Sequence, residues 1–236
     1  MKNKAVSVYC HGHLIGQLAQ TKTGLVAFEY APSWLEEGFS ISPFDLPLEK
    51  KVFIAPKEPF SGLFGVFNDS LPDGWGKLLI DRLLRKQGVN PSSVSPLERL
   101  CIVSKNGMGA LEYEPSTPLL EDFNAVPLDL DELAVAAEKI LHNEETAHLE
   151  QLVQISGFSG GARPKVLIKI DNEDWLIKFP SRLDDREIGQ REFNCSVLAK
   201  KAGIIMPETR LFNGKYFGAK RFDRPPNRRK VHMPSL

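Results

Sequence analysis

Polar and apolar residues alternate at the start of the chain. Residues 5–9 and 13–19 read as two strands around a turn at Gly12, and 24–30 alternates well enough for a third, which predicts a small antiparallel sheet. The period changes after Asp73. Within 77–87, Leu78, Leu79, Leu83 and Leu84 fall at helical spacing and Gly88 ends the run, so a helix capped by Asp73 is expected. Residues 96–103 predict a short helix and 107–113 a return to strand, making 1–118 an α+β subdomain.

From 115 to 131 the chain is rich in proline and acids (Pro115, Pro118, Glu121, Asp122, Pro127, Asp129) and reads as a linker. Leu133, Ala136, Ala137, Ile140 and Leu141 then share one helical face, and 147–155 predicts a second helix, so 119–155 is taken as linker and helices. The remainder, 156–236, alternates again. Strands are expected at 166–170 and 175–180 around the turn Asp171 to Asp174, and at 209–212 and 215–222 around Asn213-Gly214, a strong hairpin signal. Between the two hairpins lies a helix at 186–201, its apolar face formed by Ile188, Phe193, Val197, Leu198 and Ala202 and its end marked by Gly203.

Composition narrows the classes. With 236 residues, 42% of them hydrophobic, the chain is large enough for one large or two modest cores, which excludes disorder as the overall state. Thirty Lys plus Arg balance thirty Asp plus Glu, which argues against a protein that coats polyanions and makes charge location more informative than charge total. Cys10, Cys101 and Cys195 have no CxxC spacing, so neither a disulfide framework nor a thiolate zinc site is supported. No window approaches the roughly 18 apolar residues of a membrane span and no apolar signal core opens the chain, so a soluble cytoplasmic protein with no membrane partner is expected. His11, His13, His142, His148 and His232 share no metal-binding spacing, and no metal site is expected; Trp34, Trp75 and Trp175 read as core or edge anchors.

Chemistry concentrates after residue 155. The stretch Ser156-Gly157-Phe158-Ser159-Gly160-Gly161-Ala162-Arg163-Pro164-Lys165 is a glycine-rich loop before an apolar strand. Absent side chains let backbone N–H groups approach phosphate oxygens, while Arg163 and Lys165 add positive charge; a flexible turn is the plainer reading, and the Walker A spacing is absent. Lys178 lies in the second strand and Glu192 in the helix fourteen residues later. In protein kinases a strand Lys paired with a helix Glu contacts the α- and β-phosphates of ATP beneath a glycine-rich loop. Each feature also has an ordinary surface explanation, but the order (loop, strand, strand with Lys, helix with Glu, hairpin) is that of a kinase small lobe, an antiparallel sheet plus one main helix.

At this point several motifs, in order, carry a resemblance. Gly160 to Lys165 (Gly-Gly-Ala-Arg-Pro-Lys), Ile177-Lys178-Phe179-Pro180, Glu192, Arg221-Phe222-Asp223-Arg224 and, earlier, Asp69-Ser70-Leu71-Pro72-Asp73-Gly74-Trp75-Gly76 with Gly109-Ala110-Leu111 together resemble the HipA family of bacterial serine/threonine kinase toxins. The resemblance implies an ATP-dependent protein kinase of a toxin–antitoxin system. It assigns ATP contacts to Gly160, Gly161, Ala162, Lys165 and Lys178, with Glu192 as the partner of Lys178. It makes Lys220 to Phe222 the hinge at the adenine, with Asp223 reaching the ribose, and makes Ser156 or Ser159 the self-phosphorylated loop serine. It implies a HipB-like helix-turn-helix antitoxin and a protein substrate as partners, with DNA met only through the antitoxin, and Mg²⁺ beside ATP.

The chain departs from that family in its loop, Phe158 to Lys165, where common variants read Ser-Ile-x-Gly-x-Gln-x-Lys, and again beyond the hinge. The family's catalytic Asp-x-His-x-x-Asn loop and later metal-binding Asp are not found, and 12 residues follow Arg224 where a kinase large lobe needs about 100 to 200. A truncated N-terminal portion, without catalytic residues and inactive alone, is therefore expected. Two alternatives stand beside it: a non-catalytic remnant that binds an antitoxin or regulates a separate kinase, and a nucleic-acid-binding protein using the basic run Arg221, Arg224, Arg228, Arg229, Lys230, for which a solvated tail is the plainer account.

Overall fold

The structure is a computed structural model that describes residues 5–117, 119, 129–156, 158, 160–225 and 229–233. Most of the expected proline-rich linker, including Pro118, Glu121, Asp122 and Pro127, lies outside the described residues. In chain order the elements are β1 (Ala5–Cys10), β2 (His13–Gln20), β3 (Val26–Tyr30), α1 (Pro32–Glu37), β4 (Phe53–Ile54), α2 (Gly65–Asn68), α3 (Gly74–Lys86), α4 (Pro96–Val103), β5 (Leu111–Glu114), α5 (Leu130–Leu141), α6 (Leu149–Ser156), β6 (Lys165–Ile170), β7 (Glu173–Lys178), α7 (Ile188–Lys201), β8 (Thr209–Phe212) and β9 (Tyr216–Lys220). They gather into two compact units that are each discontinuous in sequence: 1–71, 88–119 and 229–236 form one, 72–87 and 120–228 the other. Helix α3, placed early by linear order, is thus built into the second unit.

The first unit is an antiparallel sheet in the order β4-β3-β2-β1-β5. His11 and Gly12 both adopt positive φ, which gives the β1–β2 hairpin the primed turn whose twist matches the strands. Val6, Val8, Ile15, Leu18 and Phe28 are fully buried on one face together with Phe67, Leu100 and Tyr113. Helix α4 opens with a capping box, in which the Ser95 hydroxyl accepts the Glu98 N–H and the Glu98 carboxylate accepts the Ser95 N–H at 2.8 Å. Lys230 is no solvated tail residue: its ammonium donates to Glu112 at 2.8 Å and to the Lys105 carbonyl at 2.7 Å.

The second unit has an antiparallel sheet in the order β6-β7-β9-β8. Asp171 and Asn172 (φ 51° and 63°) make the tight β6–β7 turn, and Asn213-Gly214 (φ 48° and 67°) the β8–β9 turn. Helix α3 buries Leu79, Ile80, Leu83 and Leu84, and α6 packs against it through Leu149, Leu152 and Val153. Helix α5 begins in a second capping box, Asp129 with Glu132; the acid assigned to a linker is a helix cap, and the Glu three residues on is its signal.

Two local expectations are corrected. Asp73 occupies the N-cap position of α3, but its side chain makes no cap hydrogen bond. On α7 the buried residues are Gly189 and Ser196, whereas Leu198, expected on the packed face, is 63% exposed. A Cβ at Gly189 would lie 1.9 Å from the Lys215 carbonyl oxygen, so α7 meets the β8–β9 hairpin through its smallest residue rather than through an apolar stripe. No helix among the described residues is long and apolar enough to cross a membrane.

Candidate functional site

Lys178 is the last residue of β7, directly opposite Lys165 on β6. Directly opposed residues share a sheet face, so the two ammonium groups emerge on the same side. Helix α7 supplies the counter-charge because Gly189 lets its first turns approach the hairpin and the Ser196 hydroxyl meets Thr209 Oγ1 of β8 at 2.9 Å. Glu192 lies between these anchors, and its Oε2 receives the Lys178 ammonium at 2.9 Å. The Lys178 Nζ also stands 5.3 Å from the centre of the Phe217 ring, whose face attracts a cation. Arg163 from the glycine-rich loop reaches the same carboxylate at 2.5 Å and Asp184 at 2.8 Å. Burial raises the Asp184 carboxyl, but hydrogen bonds from the Ser181 hydroxyl and amide and the charge of Arg163 outweigh it and hold the group below the usual carboxylate range. Arg163, Lys178 and Glu192 line a depression with Phe179, Gly189 and Phe217.

The loop itself is held. Gly160, Gly161 and Ala162 are exposed, whereas Lys165 is 5% exposed and donates to the Gly160 carbonyl at 2.6 Å and the Gly161 carbonyl at 3.0 Å. Burial pushes the Lys165 ammonium down to about 8; the nearby Asp73 charge opposes the shift and that of Lys178 adds to it. From the other side, the Asp73 carboxylate accepts the Gly161 N–H, and the Trp75 N–H donates to the Gly161 carbonyl at 3.1 Å. The Trp75 indole N–H donates to Ser156 Oγ at 2.5 Å and to the Lys165 carbonyl at 3.1 Å. A Cβ on Gly74 would sit 2.7 Å from the Ala162 Cα, and its φ of +40° favours glycine, so a glycine is needed there for both reasons.

The remaining candidate residues are not gathered with this cluster. Lys220 pairs across the sheet with Trp175, three residues and therefore about 10 Å along β7 from Lys178, and its ammonium is bound by Glu173. The Lys220 N–H is taken by the Glu208 carbonyl at 2.8 Å and the Arg221 N–H by the Asp174 carbonyl at 2.7 Å, while the Phe222 ring is 65% exposed. Asp223 is 2% exposed; both of its oxygens bind Arg221, at 2.9 and 2.6 Å, and Oδ2 also receives Arg224 at 2.7 Å. Burial raises this carboxyl, but the guanidinium hydrogen bond and charges prevail and keep it below the ordinary range. Ser156 ends α6 at 1% exposure, its hydroxyl oxygen accepting the Trp75 indole N–H; Ser159 lies outside the described residues. Among the described residues no group of three or more His, Cys, Asp or Glu is arranged to hold a metal ion. Neither the Asp73 contact with Gly161 nor the Arg163 contact with Glu192 has a periodic signal in the sequence; the glycine immediately after Asp73 is the one local sign of a close backbone approach.

Comparison with known proteins supplies the wider frame. Residues 6–114 match the family model of the HipA N-terminal domain and 157–236 that of the HipA-like C-terminal domain. Among solved structures the fold is similar to HipA of the Shewanella oneidensis MR-1 toxin–antitoxin system, determined with HipB and its operator DNA. The TM-score is 0.61 at 19% identity, over 95% of this chain and 53% of that one, so this chain spans about half the length of the structure it matches. No curated protein matches.

Proposed function

Because this chain belongs to the HipA family, we propose that its second unit is the phosphate-gripping half of an ATP-dependent serine/threonine kinase of a toxin–antitoxin system. The observation that carries the reading is the Lys178–Glu192 ion pair at 2.9 Å beside a glycine-rich loop whose carbonyls are turned toward Lys165. Glu192 holds Lys178 as an extended cation at a partly exposed position, and Lys165 adds a second charge on the same sheet face. Phosphoryl transfer is catalysed mainly by positioning and by neutralising charge on the phosphates, and these groups supply both. The residues present fit the phosphates of ATP: the exposed backbone of Gly160 and Ala162 flanks the Gly161 amide that Asp73 holds, and Lys165 and Lys178 offer charge. Among the described residues, no cluster of acids or histidines fits a Mg²⁺ site. The reading places the protein in the cytoplasm, with a HipB-like antitoxin and a protein hydroxyl as its partners.

Thermal denaturation with and without ATP tests this. A ligand present at 100 times its Kd stabilises a protein by about 2.7 kcal/mol, which raises the Tm of a chain of this size by about 5–10 °C. We expect such a rise in the wild-type chain and its loss in Lys178→Ala. An equal rise in both proteins, or none in the wild type, would remove the phosphate role from Lys178.

A further inference from the structure

We propose that Asp73 is a positioning residue for the glycine-rich loop: its carboxylate holds the Gly161 amide, so that the loop is set from the start of α3 instead of by its own flexible backbone. The proposal rests on the nucleotide reading above and adds to it a group from 88 residues away in sequence.

Four observations point the same way. Asp73 stands where a helix cap would, yet its side chain makes no cap hydrogen bond to its own helix and spends its carboxylate on Gly161. The next residue, Gly74, is packed so closely on 161–162 that a methyl group would collide with backbone. The residue after it, Trp75, holds the Gly161 carbonyl through its own N–H, and through its indole reaches the Lys165 carbonyl and Ser156 on either side of the loop. Finally, Lys165 binds the carbonyls of Gly160 and Gly161, so Gly161 is held at its N–H by Asp73 and at its carbonyl oxygen by Trp75 and Lys165. A glycine loop free in solution samples many conformations, and a ligand that binds one of them bears the entropy of selecting it. Three consecutive residues, Asp-Gly-Trp, remove that freedom beforehand.

The test uses the full chain, with ATP as probe. Asp73→Ser retains a good N-cap residue for α3 but ends one bond short of Gly161, whereas Asp73→Asn keeps the acceptor oxygen and removes only the charge. Loss of a hydrogen bond to a charged group corresponds to roughly tenfold or more. We therefore expect Asp73→Ser to speed hydrogen exchange of the Gly161 amide, followed by NMR, and to weaken ATP binding, each by about tenfold, with Asp73→Asn close to wild type in both. Unchanged Gly161 exchange in Asp73→Ser overturns the tether. Faster exchange with unchanged or tighter ATP binding overturns its positioning role, and tighter binding by Asp73→Asn would identify Asp73 as a competitor of phosphate instead. A wild-type chain that binds no ATP overturns the nucleotide reading and the purpose given to Asp73 with it; that failure is told apart by the exchange rates, which need no ligand.

Discussion

Lys165 shows how one buried residue ties stability to binding. Burial has brought its ammonium to about 8 from 10.5. Below pH 8 both the folded and the unfolded chain carry the proton, and pH has no leverage through this group. Between about 8 and 10.5 the unfolded chain still holds a proton that the folded chain has released, so stability rises with pH through that window. Phosphate binding runs the opposite way, since it is the ammonium that attracts the anion. Measured as wild type minus Lys165→Met, unfolding stability should climb above pH 8 while ATP affinity declines; identical profiles for the two proteins would contradict this. Asp223 is the acid counterpart, lowered by its two guanidinium partners, so that its contribution is present above the ordinary carboxylate pKa and is lost as pH falls through its folded value.

Among the elements, helix α7 decides whether Glu192 reaches Lys178. Its contact with the β8–β9 hairpin depends on Gly189, where a methyl group would meet the Lys215 carbonyl oxygen at 1.9 Å. Forcing a group into such a contact costs about 1–3 kcal/mol or more, because backbone must move. Gly189→Ala should lower the Tm by several degrees and weaken ATP binding as Glu192 is displaced, while Asn194→Ala on the exposed face of α7 should do neither. A Gly189→Ala protein with wild-type Tm and affinity would show that the helix has slack at this point. The hairpins were legible in sequence because Asp171-Asn172 and Asn213-Gly214 carry the residues that tolerate positive φ, a requirement met locally. The packed face of α7 was not, because a helix that docks through glycine and serine leaves no apolar period to detect.

At the scale of the whole molecule, much of the charge of the C-terminal basic run is paired within the chain. Formal charge is zero, Arg221 and Arg224 are bound to Asp223, and Lys230 is bound to Glu112. The chain alone should therefore bind duplex DNA weakly, with log affinity falling with log salt at a slope no steeper than about −2, the signature of about two phosphate contacts. Fluorescence anisotropy between 50 and 200 mM salt measures it, and a slope near −5 would reinstate direct DNA recognition through the basic run. The sequence by itself determined the kinds and order of most elements, α1, β4 and α2 excepted, together with the hairpin turns and the candidacy of Lys178 and Glu192. Those features depend on residue spacing and on backbone preferences within a few positions. Only the tertiary structure decided that the Asp73 carboxylate meets Gly161 instead of its own helix, that Arg163 shares Glu192, and that the Lys220 and Arg221 amides are already spent on Glu208 and Asp174. A hydrogen bond between residues far apart in the chain is set by how the elements pack, and it leaves no periodic trace in the order of residues.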